Sequence, residues 1–322
     1  DHRDLHLSIR RQRQMCIRDS NMSITIIAPP VPSSKWKSAF ATLAPNIPVF
    51  EGYKLNKPEQ IKYATLWRFP EGILNNFKNL KLIYSMGAGV DGVLADPTIP
   101  NHIHICRIVD PEMAFSMSNY ILMAVLQHHR QLDAYKKAQK EKYWSQHEVD
   151  ELDLNIGVLG LGHLGMDAAL KLHQVGFAVS GFSHSPKNTL FPTYSGNEMG
   201  SFLSAINLLI CVLPLTPQTA GFLNKSLFKQ LKQPTFLINV SRGDVQVERD
   251  ILEALDKGIL NGAFLDVFEQ EPLPKESLLW THPKIKITPH IASLTREKES
   301  ARQVLDLSLI HISEPTRLLS IS

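Results

Sequence analysis

The chain has few cysteines, little excess charge and no long apolar run, and each shortage excludes a class of protein. Three cysteines in 322 residues are too few for a disulfide scaffold, and the apolar neighbours of Cys106 and Cys211 favour a reducing compartment. No apolar run approaches the roughly 18 residues of a transmembrane helix. A net charge of +3 gives no electrostatic argument for binding nucleic acid or an anionic membrane. We therefore expect a cytoplasmic protein that binds neither.

Both ends of the chain carry peptides that we interpret as non-native. Met15–Ser20 and Leu307–Ser313 can be encoded by the two strands of one DNA element, which resembles the end of a transposase-based sequencing adaptor. We therefore assign residues 1–21 and 307–322 to adaptor-derived tails. The natural protein is expected to span about Met22–Asp306, with a shortened C-terminus, and its first residues lack the features of a secretory signal.

Short apolar segments, rich in branched residues, alternate with helix-length segments along the chain. Because they are apolar on both faces, we interpret them as parallel strands buried between helices. This pattern predicts a doubly wound α/β architecture, and the chain length favours two domains. The segments are Ile24–Ala28, Tyr63–Trp67, Leu80–Met86, Ile156–Leu159, Ala178–Phe182, Leu208–Leu213, Thr235–Val240, Ala263–Val267 and Ile285–Thr288.

The stretch Pro111–Trp144 separates the first three apolar segments from the others. Proline at its start and apolar residues at helical spacing predict one amphipathic helix, whose polar end is Lys136–Lys142. Such a helix could connect two domains or contact a second subunit.

Three glycines after the segment Ile156–Leu159 have the spacing of a dinucleotide-binding turn. Gly160 allows a tight turn, Gly162 lets a pyrophosphate approach the backbone, and Gly165 allows close packing of the following helix. His163 and Leu164 lie in the same turn, at the positive end of that helix. The alternative is a glycine-rich turn with a structural role only.

The segment that follows the second strand of this unit bears on the choice of cofactor. Selectivity for NAD normally uses an acidic residue about 20 residues beyond the glycines, but Ser183–Lys187 contains no carboxylate. Ser183, His184, Ser185 and Lys187 could instead bind a 2′-phosphate. The sequence therefore favours NADP over NAD, and the alternative is a solvated turn without preference.

Three residues that could carry chemistry follow predicted strands, where ligands gather in open α/β sheets. Arg242 follows Thr235–Val240, Glu271 stands in DVFEQEPL, and His290 follows the last segment. Taken singly, the arginine could form a surface salt bridge, and the histidine could be structural. Hydride transfer to a ketone, however, builds negative charge on oxygen and needs a cation and a proton donor.

These segments, with GLGHLG and the turn Ser85–Asp91 (SMGAGVD), closely resemble the D-isomer-specific 2-hydroxyacid dehydrogenases over nearly all of residues 22–306. Details such as LWTHP look most like the glyoxylate/hydroxypyruvate reductase A branch. The resemblance implies a Rossmann cofactor domain at residues 111–289, inserted into a flavodoxin-like substrate domain formed by residues 22–110 and 290–306. It also implies a homodimer with the Pro111–Trp144 region at the interface.

The resemblance further implies roles for single residues. Arg242 would bind the carboxylate and carbonyl of a 2-keto acid, His290 would donate the proton, and Glu271 would favour the charged imidazole. In the first domain, the residues expected to bind substrate are Ala88, Gly89 and Val90, through their N–H groups, and Arg68, for which a surface role is an alternative. The residues expected to border the cofactor, besides those named above, are Leu213, Pro214, Thr216, Val240, Asp266, Arg242 and His290.

The predicted activity is NAD(P)H-dependent reduction of small 2-keto acids such as glyoxylate and hydroxypyruvate. One alternative is a non-catalytic NAD(H)-binding regulator, since fold alone does not fix function. Another is a dehydrogenase of a bulkier 2-hydroxy acid. No metal site is predicted, because His128 and His129 lack suitably spaced partners.

Overall fold

The computed structural model describes residues 23–29, 32–144, 146 and 151–313. The chain forms two compact units, of which the first ends at Asp110 and resumes at Thr295, while the second is Pro111–Leu294. The predicted tails lie outside the described residues, except for 307–313. None of the described helices is both long and apolar enough to cross a membrane.

The first unit contains a five-stranded parallel sheet with the order β2-β1-β3-β4-β5, which is the flavodoxin-like order. Side chains of its central strands, such as Ile24, Leu66 and Ile83, are fully buried. The C-terminal helix, Glu297–Ser313, packs on the first helix of this unit. The strands are β1 (Ile24–Ile27), β2 (Val49–Glu51), β3 (Tyr63–Leu66), β4 (Leu82–Ser85) and β5 (His104–Arg107), and the other helices are α1 (Ser34–Leu43), α2 (Asp91–Leu94) and two 3₁₀ turns, Pro58–Gln60 and Ile73–Asn76.

The second unit contains a seven-stranded parallel sheet with the order β12-β11-β10-β9-β6-β7-β8. The order reverses between β6 and β9, which is the switch point where doubly wound sheets bind ligands. Its strands are β6 (Asn155–Leu159), β7 (Ala178–Ser183), β8 (Thr193–Ser195), β9 (Leu208–Cys211), β10 (Thr235–Asn239), β11 (Leu260–Leu265) and β12 (Ile285–Ile287). Its helices are α3 (Pro111–His129), α4 (Leu132–Lys140), α5 (His163–Gln174), α6 (Met199–Ser204), α7 (Lys225–Phe228) and α8 (Glu248–Asp256), with 3₁₀ turns at Gly196–Glu198, Gly243–Val245 and Leu278–Trp280. The doubly wound α/β class is therefore confirmed for both units.

The prediction of one helix over Pro111–Trp144 was wrong, because the structure divides this stretch into α3 and α4. Gln131, between them, has a left-handed backbone with φ +48°. The carbonyl oxygen of His129 accepts a hydrogen bond from the N–H of Leu152 at 3.1 Å, and the His129 ring bonds the Leu152 carbonyl at 2.8 Å. A later segment therefore occupies the carbonyl group that a continuing helix would use.

His128, near the end of α3, is expected to make the second unit sensitive to acid. Its ring stacks on Phe236 of β10 with 3.9 Å between ring centroids. Burial, and then the charge of Lys286, lowers the pKa of His128 from 6.5 to about 4. Because the unfolded state binds this proton more readily, the stabilisation is complete above about pH 6.5 and is lost as the pH falls towards about 4.

We expect His128→Gln to lose this part of the acid sensitivity. The wild-type free energy of unfolding should fall by about 2 kcal/mol more than that of the variant between about pH 7 and pH 4.5, once the partial exposure of the ring is allowed for. Urea unfolding of both proteins at the two pH values measures the difference. Equal losses of stability would contradict the prediction.

Candidate active site

The glycine-rich turn joins β6 to α5 in the second unit. Gly160 has φ +103°, and a Cβ on Gly165 would lie 1.9 Å from the Gly160 carbonyl oxygen, so both positions require glycine. A Cβ on Gly162 would meet nothing within 4 Å. Gly162 is the N-cap of α5, and the first N–H groups of a helix lack partners within it. The open space over this turn therefore suits an approaching phosphate group, and His163, the first helical residue, is exposed beside it.

The turn after β7 contains the residues that sequence reasoning assigned to a 2′-phosphate. The Ser183 hydroxyl donates to the carbonyl oxygen of Ser185 at 2.7 Å, which curls the backbone at the end of the strand. His184, Ser185 and Lys187 are exposed. The turn thus presents polar and basic side chains to solvent at the carboxyl end of a strand that pairs with β6.

Four further predicted cofactor residues, Leu213, Pro214, Thr216 and Val240, follow β9 and β10, which continue the sheet from β6. Leu213 is half-buried and Pro214 exposed, and Val240 is buried. Thr216 and Thr219 bond each other's backbone N–H groups at 2.8 and 3.2 Å, which closes a local turn. These residues therefore lie after the same ends of adjacent strands as the glycine turn.

Arg242 lies in the turn after β10 and is half-buried. Its Nη1 donates to the carbonyl oxygen of Ser241 at 2.8 Å. A Cβ on the next residue, Gly243, would lie 1.7 Å from the carbonyl oxygen of Phe268, so this turn packs directly on the loop after β11. That loop also contains Glu271, and the structure therefore brings the elements of two predicted catalytic residues into contact.

His290 and Glu271 form a close pair. The imidazole Nδ1 lies 2.8 Å from a Glu271 carboxylate oxygen, Oε2, and the two side chains are 29% and 19% exposed. The other carboxylate oxygen, Oε1, accepts a hydrogen bond from the N–H of Phe268 at 3.2 Å. With Nδ1 engaged in this way, Nε2 is the ring nitrogen that could give a proton to a ligand.

The backbone of His290 has φ +56°, a left-handed conformation that is uncommon outside glycine. The buried side chain of Asp266 holds the surrounding loop, because its carboxylate accepts hydrogen bonds from the Thr288 hydroxyl (2.6 Å) and from the N–H groups of Ile291 (2.9 Å) and Ala292 (2.8 Å). The His290 N–H donates to the Asp266 carbonyl oxygen at 2.8 Å. Asp266, predicted to border the cofactor, is thus buried and supports the loop of His290.

In the first unit, the turn after β4 contains Ala88, Gly89 and Val90. Within the described part of the chain, their backbone N–H groups donate no hydrogen bond. The buried Ser85 hydroxyl donates to the Gly89 carbonyl oxygen, and such consecutive N–H groups can bind an anion. Arg68, two residues beyond β3, is exposed.

Sequence reasoning missed the polar side chains that support these loops. Thr288 bridges Asp266 and the Tyr120 hydroxyl of α3, and Asn239 and Gln246 connect the loops after β10 and β11. None of them belongs to a chemical motif, so only an unusual polar residue at an otherwise apolar position could have drawn notice. Among the described residues there is also no cluster of His, Cys, Asp or Glu that could hold a metal ion.

Comparison with known proteins identifies clear relatives. Residues 122–292 match the family described as D-isomer specific 2-hydroxyacid dehydrogenase, NAD binding domain. A glyoxylate/hydroxypyruvate reductase A of Photorhabdus laumondii is 38% identical over 304 residues, which cover 92% of this chain and 94% of the relative. A relative of the same name in Yersinia enterocolitica is 36% identical over 292 residues, 88% of this chain and 93% of its own.

Solved structures of proteins with similar names also superpose on this chain. A D-isomer specific 2-hydroxyacid dehydrogenase from Xanthobacter autotrophicus, in complex with NADPH and MES, superposes with a TM-score of 0.86 at 34% identity, over 93% of this chain and 97% of that one. An NADPH-dependent glyoxylate/hydroxypyruvate reductase from Sinorhizobium meliloti, in complex with NADP and sulfate, superposes with a TM-score of 0.85 at 33% identity. The match covers 92% of this chain and 97% of that one.

Proposed function

The chain belongs to the D-isomer specific 2-hydroxyacid dehydrogenase family, and on that premise we propose that it reduces glyoxylate or hydroxypyruvate to the 2-hydroxy acid with NADPH. The family makes it an NAD(P)-dependent oxidoreductase. The observation that carries the finer proposal is the Glu271–His290 pair at 2.8 Å, together with the packing of the Arg242 turn on the loop that contains Glu271. The names of the relatives support the choice of substrates.

The side chains of the second unit supply what reduction of a keto group requires. Arg242 is permanently charged and fork-shaped, so it binds and orients the carboxylate and carbonyl oxygens of the keto acid. His290 gives the proton on Nε2 to the carbonyl oxygen as negative charge develops there. Glu271 accepts the Nδ1 hydrogen, orients the ring and stabilises its positive charge.

A dihydronicotinamide cofactor, when bound, would supply a hydride to the carbonyl carbon of the keto acid. That hydride and the proton from His290 together would convert the carbonyl group to an alcohol, primary from glyoxylate and secondary from hydroxypyruvate, and would leave the imidazole neutral. The glycine turn and the N-terminus of α5 would hold the cofactor phosphates, because Gly162 leaves the backbone open to them. The assignments of Ala88, Gly89, Val90 and Arg68 to substrate binding stay predictions, as do the homodimer, the domain boundaries and the cytoplasmic location.

Lys187 is expected to contribute to selectivity for NADPH. An exposed ammonium group in a turn without carboxylates attracts a 2′-phosphate, so Lys187→Glu should lower kcat/KM for NADPH at least about tenfold. The kcat/KM for NADH should change much less, since that cofactor lacks the phosphate. Lys232→Glu, on the exposed segment before β10, is the matched control. Equal losses with both cofactors would contradict this role.

The proposed activity is tested by following NADPH absorbance with glyoxylate, hydroxypyruvate and pyruvate in parallel. Turnover with the first two supports the proposal, and the order of kcat/KM values identifies the substrate. A protein that bound NADPH but turned over none of the three would be a regulator, or an enzyme of another acid, and the proposed substrates would be rejected.

A further inference from the structure

A chain of buried amide groups connects the loop of Arg242 to the loop of Glu271. Asn239, the last residue of β10, and Gln246, three residues beyond Gly243, are 0% and 2% exposed. The Asn239 side-chain nitrogen donates to the Gln246 side-chain oxygen at 2.9 Å. The Gln246 nitrogen donates to the carbonyl oxygen of Val267 at 3.0 Å. The two loops are thus joined through side chains as well as by packing.

The groups at the two ends of this amide bridge, Asn239 and the Val267 carbonyl, determine the direction of each hydrogen bond in it. The Asn239 oxygen is occupied as an acceptor, because it receives the Ser241 N–H at 3.0 Å and the Ser241 hydroxyl at 2.6 Å. The Val267 carbonyl group can only accept. Gln246 must therefore accept at one end and donate at the other, which an amide can do and a carboxylate or an apolar side chain cannot. A buried group left without its partner costs free energy, so the bridge has a unique arrangement.

Both ends of the bridge lead to predicted catalytic residues. Ser241, held by Asn239, precedes Arg242 and accepts the hydrogen bond of its guanidinium. Val267 precedes Phe268, whose N–H bonds the Glu271 carboxylate that also pairs with His290. A shift of either loop would change the distance between the guanidinium and the imidazole.

We propose that Gln246 is a positioning residue, which holds the Arg242 turn and the Glu271 loop in register so that both act on one keto group. This inference rests on the proposed function for its kinetic consequence. Gln246 touches neither reacting atoms nor cofactor phosphates in this scheme. Its effect is the precise placement of two loops, and misplacement by about 1 Å can lower the rate about 100-fold.

The variant Gln246→Glu provides a test through pH. A protonated carboxyl group can accept from Asn239 and donate to Val267, so it restores the bridge, whereas a carboxylate turns a lone pair towards the Val267 oxygen. Glu248, whose carboxylate accepts a hydrogen bond from the Gln246 side chain and whose own pKa is raised by burial, disfavours ionisation of the new carboxyl. Glu269 and Glu271, the other carboxylates on the loop after β11, act in the same direction, and the charge of Arg242 opposes them. The ratio of variant to wild-type kcat/KM should therefore fall at least tenfold as the pH rises.

Gln246→Met removes the bridge at every pH and should lower kcat/KM for glyoxylate about tenfold, with little change in KM for NADPH. Gln230→Glu, at an exposed position on the chain after α7, is the matched control and should show a ratio near one throughout. The melting temperature of each variant is measured in parallel. A pH-independent ratio for Gln246→Glu, with kinetics of Gln246→Met equal to wild type, would overturn the proposal even if both variants were less stable.

A second readout does not depend on turnover. The imidazole ¹⁵N signals of His290, assigned by their loss in His290→Gln, should shift in Gln246→Met and stay in place in Gln230→Glu, because only the former disturbs the Glu271 loop. Unchanged signals in Gln246→Met would refute the bridge. If glyoxylate were not reduced, the proposed function would fail while this spectrum still decided the positioning role.

Discussion

His290→Gln should lower kcat for keto-acid reduction about 10²–10⁴-fold, the usual contribution of a positioned general acid. Glutamine keeps a polar side chain of similar reach but has no proton to give to the developing alkoxide. The binding of NADPH, measured by fluorescence titration, should change little, because the cofactor phosphates are expected at the glycine turn. The exposed residue His102 provides the matched control, His102→Gln.

Glu271→Gln should have a smaller effect of a different kind. The amide can still accept the Nδ1 hydrogen of His290 but no longer stabilises a charged ring. We expect a loss of kcat of about 10–100-fold. A His290→Gln enzyme or a Glu271→Gln enzyme with wild-type kcat would show that the 2.8 Å pair is structural.

The central strands could be predicted from the sequence because strands covered on both faces appear as continuous apolar segments. The predicted segments Ile24–Ala28, Tyr63–Trp67 and Thr235–Val240 each agree with a strand to within one residue at either end. The edge strands β2, β5 and β8 were missed. Each of these strands is only three or four residues long, and all of its residues are partly or fully exposed. Polar residues such as His104 and Arg107 also interrupt the apolar pattern in β5.

Long-range hydrogen bonds account for the other differences. The break between α3 and α4 contains neither glycine nor proline, and it depends on Leu152, which is distant in sequence. Motif residues such as Arg242 and His290, by contrast, could be predicted, because their positions directly after strands indicate a chemical role. The left-handed backbone of His290 and its support by Asp266 and Thr288 depend on contacts that no local pattern encodes.

Arg242→Ala should reduce kcat/KM for glyoxylate about 10³-fold or more, which corresponds to about 4 kcal/mol of transition-state stabilisation. Both kcat and KM should change, because one guanidinium is expected to bind the substrate carboxylate and to polarise the carbonyl group. The loss of carboxylate binding raises KM, and the loss of carbonyl polarisation lowers kcat.

Arg242→Lys separates charge from geometry. Lysine keeps the positive charge but cannot form the paired hydrogen bonds of a guanidinium, so its kcat/KM should lie between those of the alanine variant and the wild type. Arg249→Ala is the control, since that side chain is 90% exposed at the start of α8. If Arg242→Lys matched the wild type, a point charge would suffice and the fork-shaped contact would be rejected. If Arg242→Ala also kept wild-type kcat/KM, the arginine would have no part in binding the keto acid.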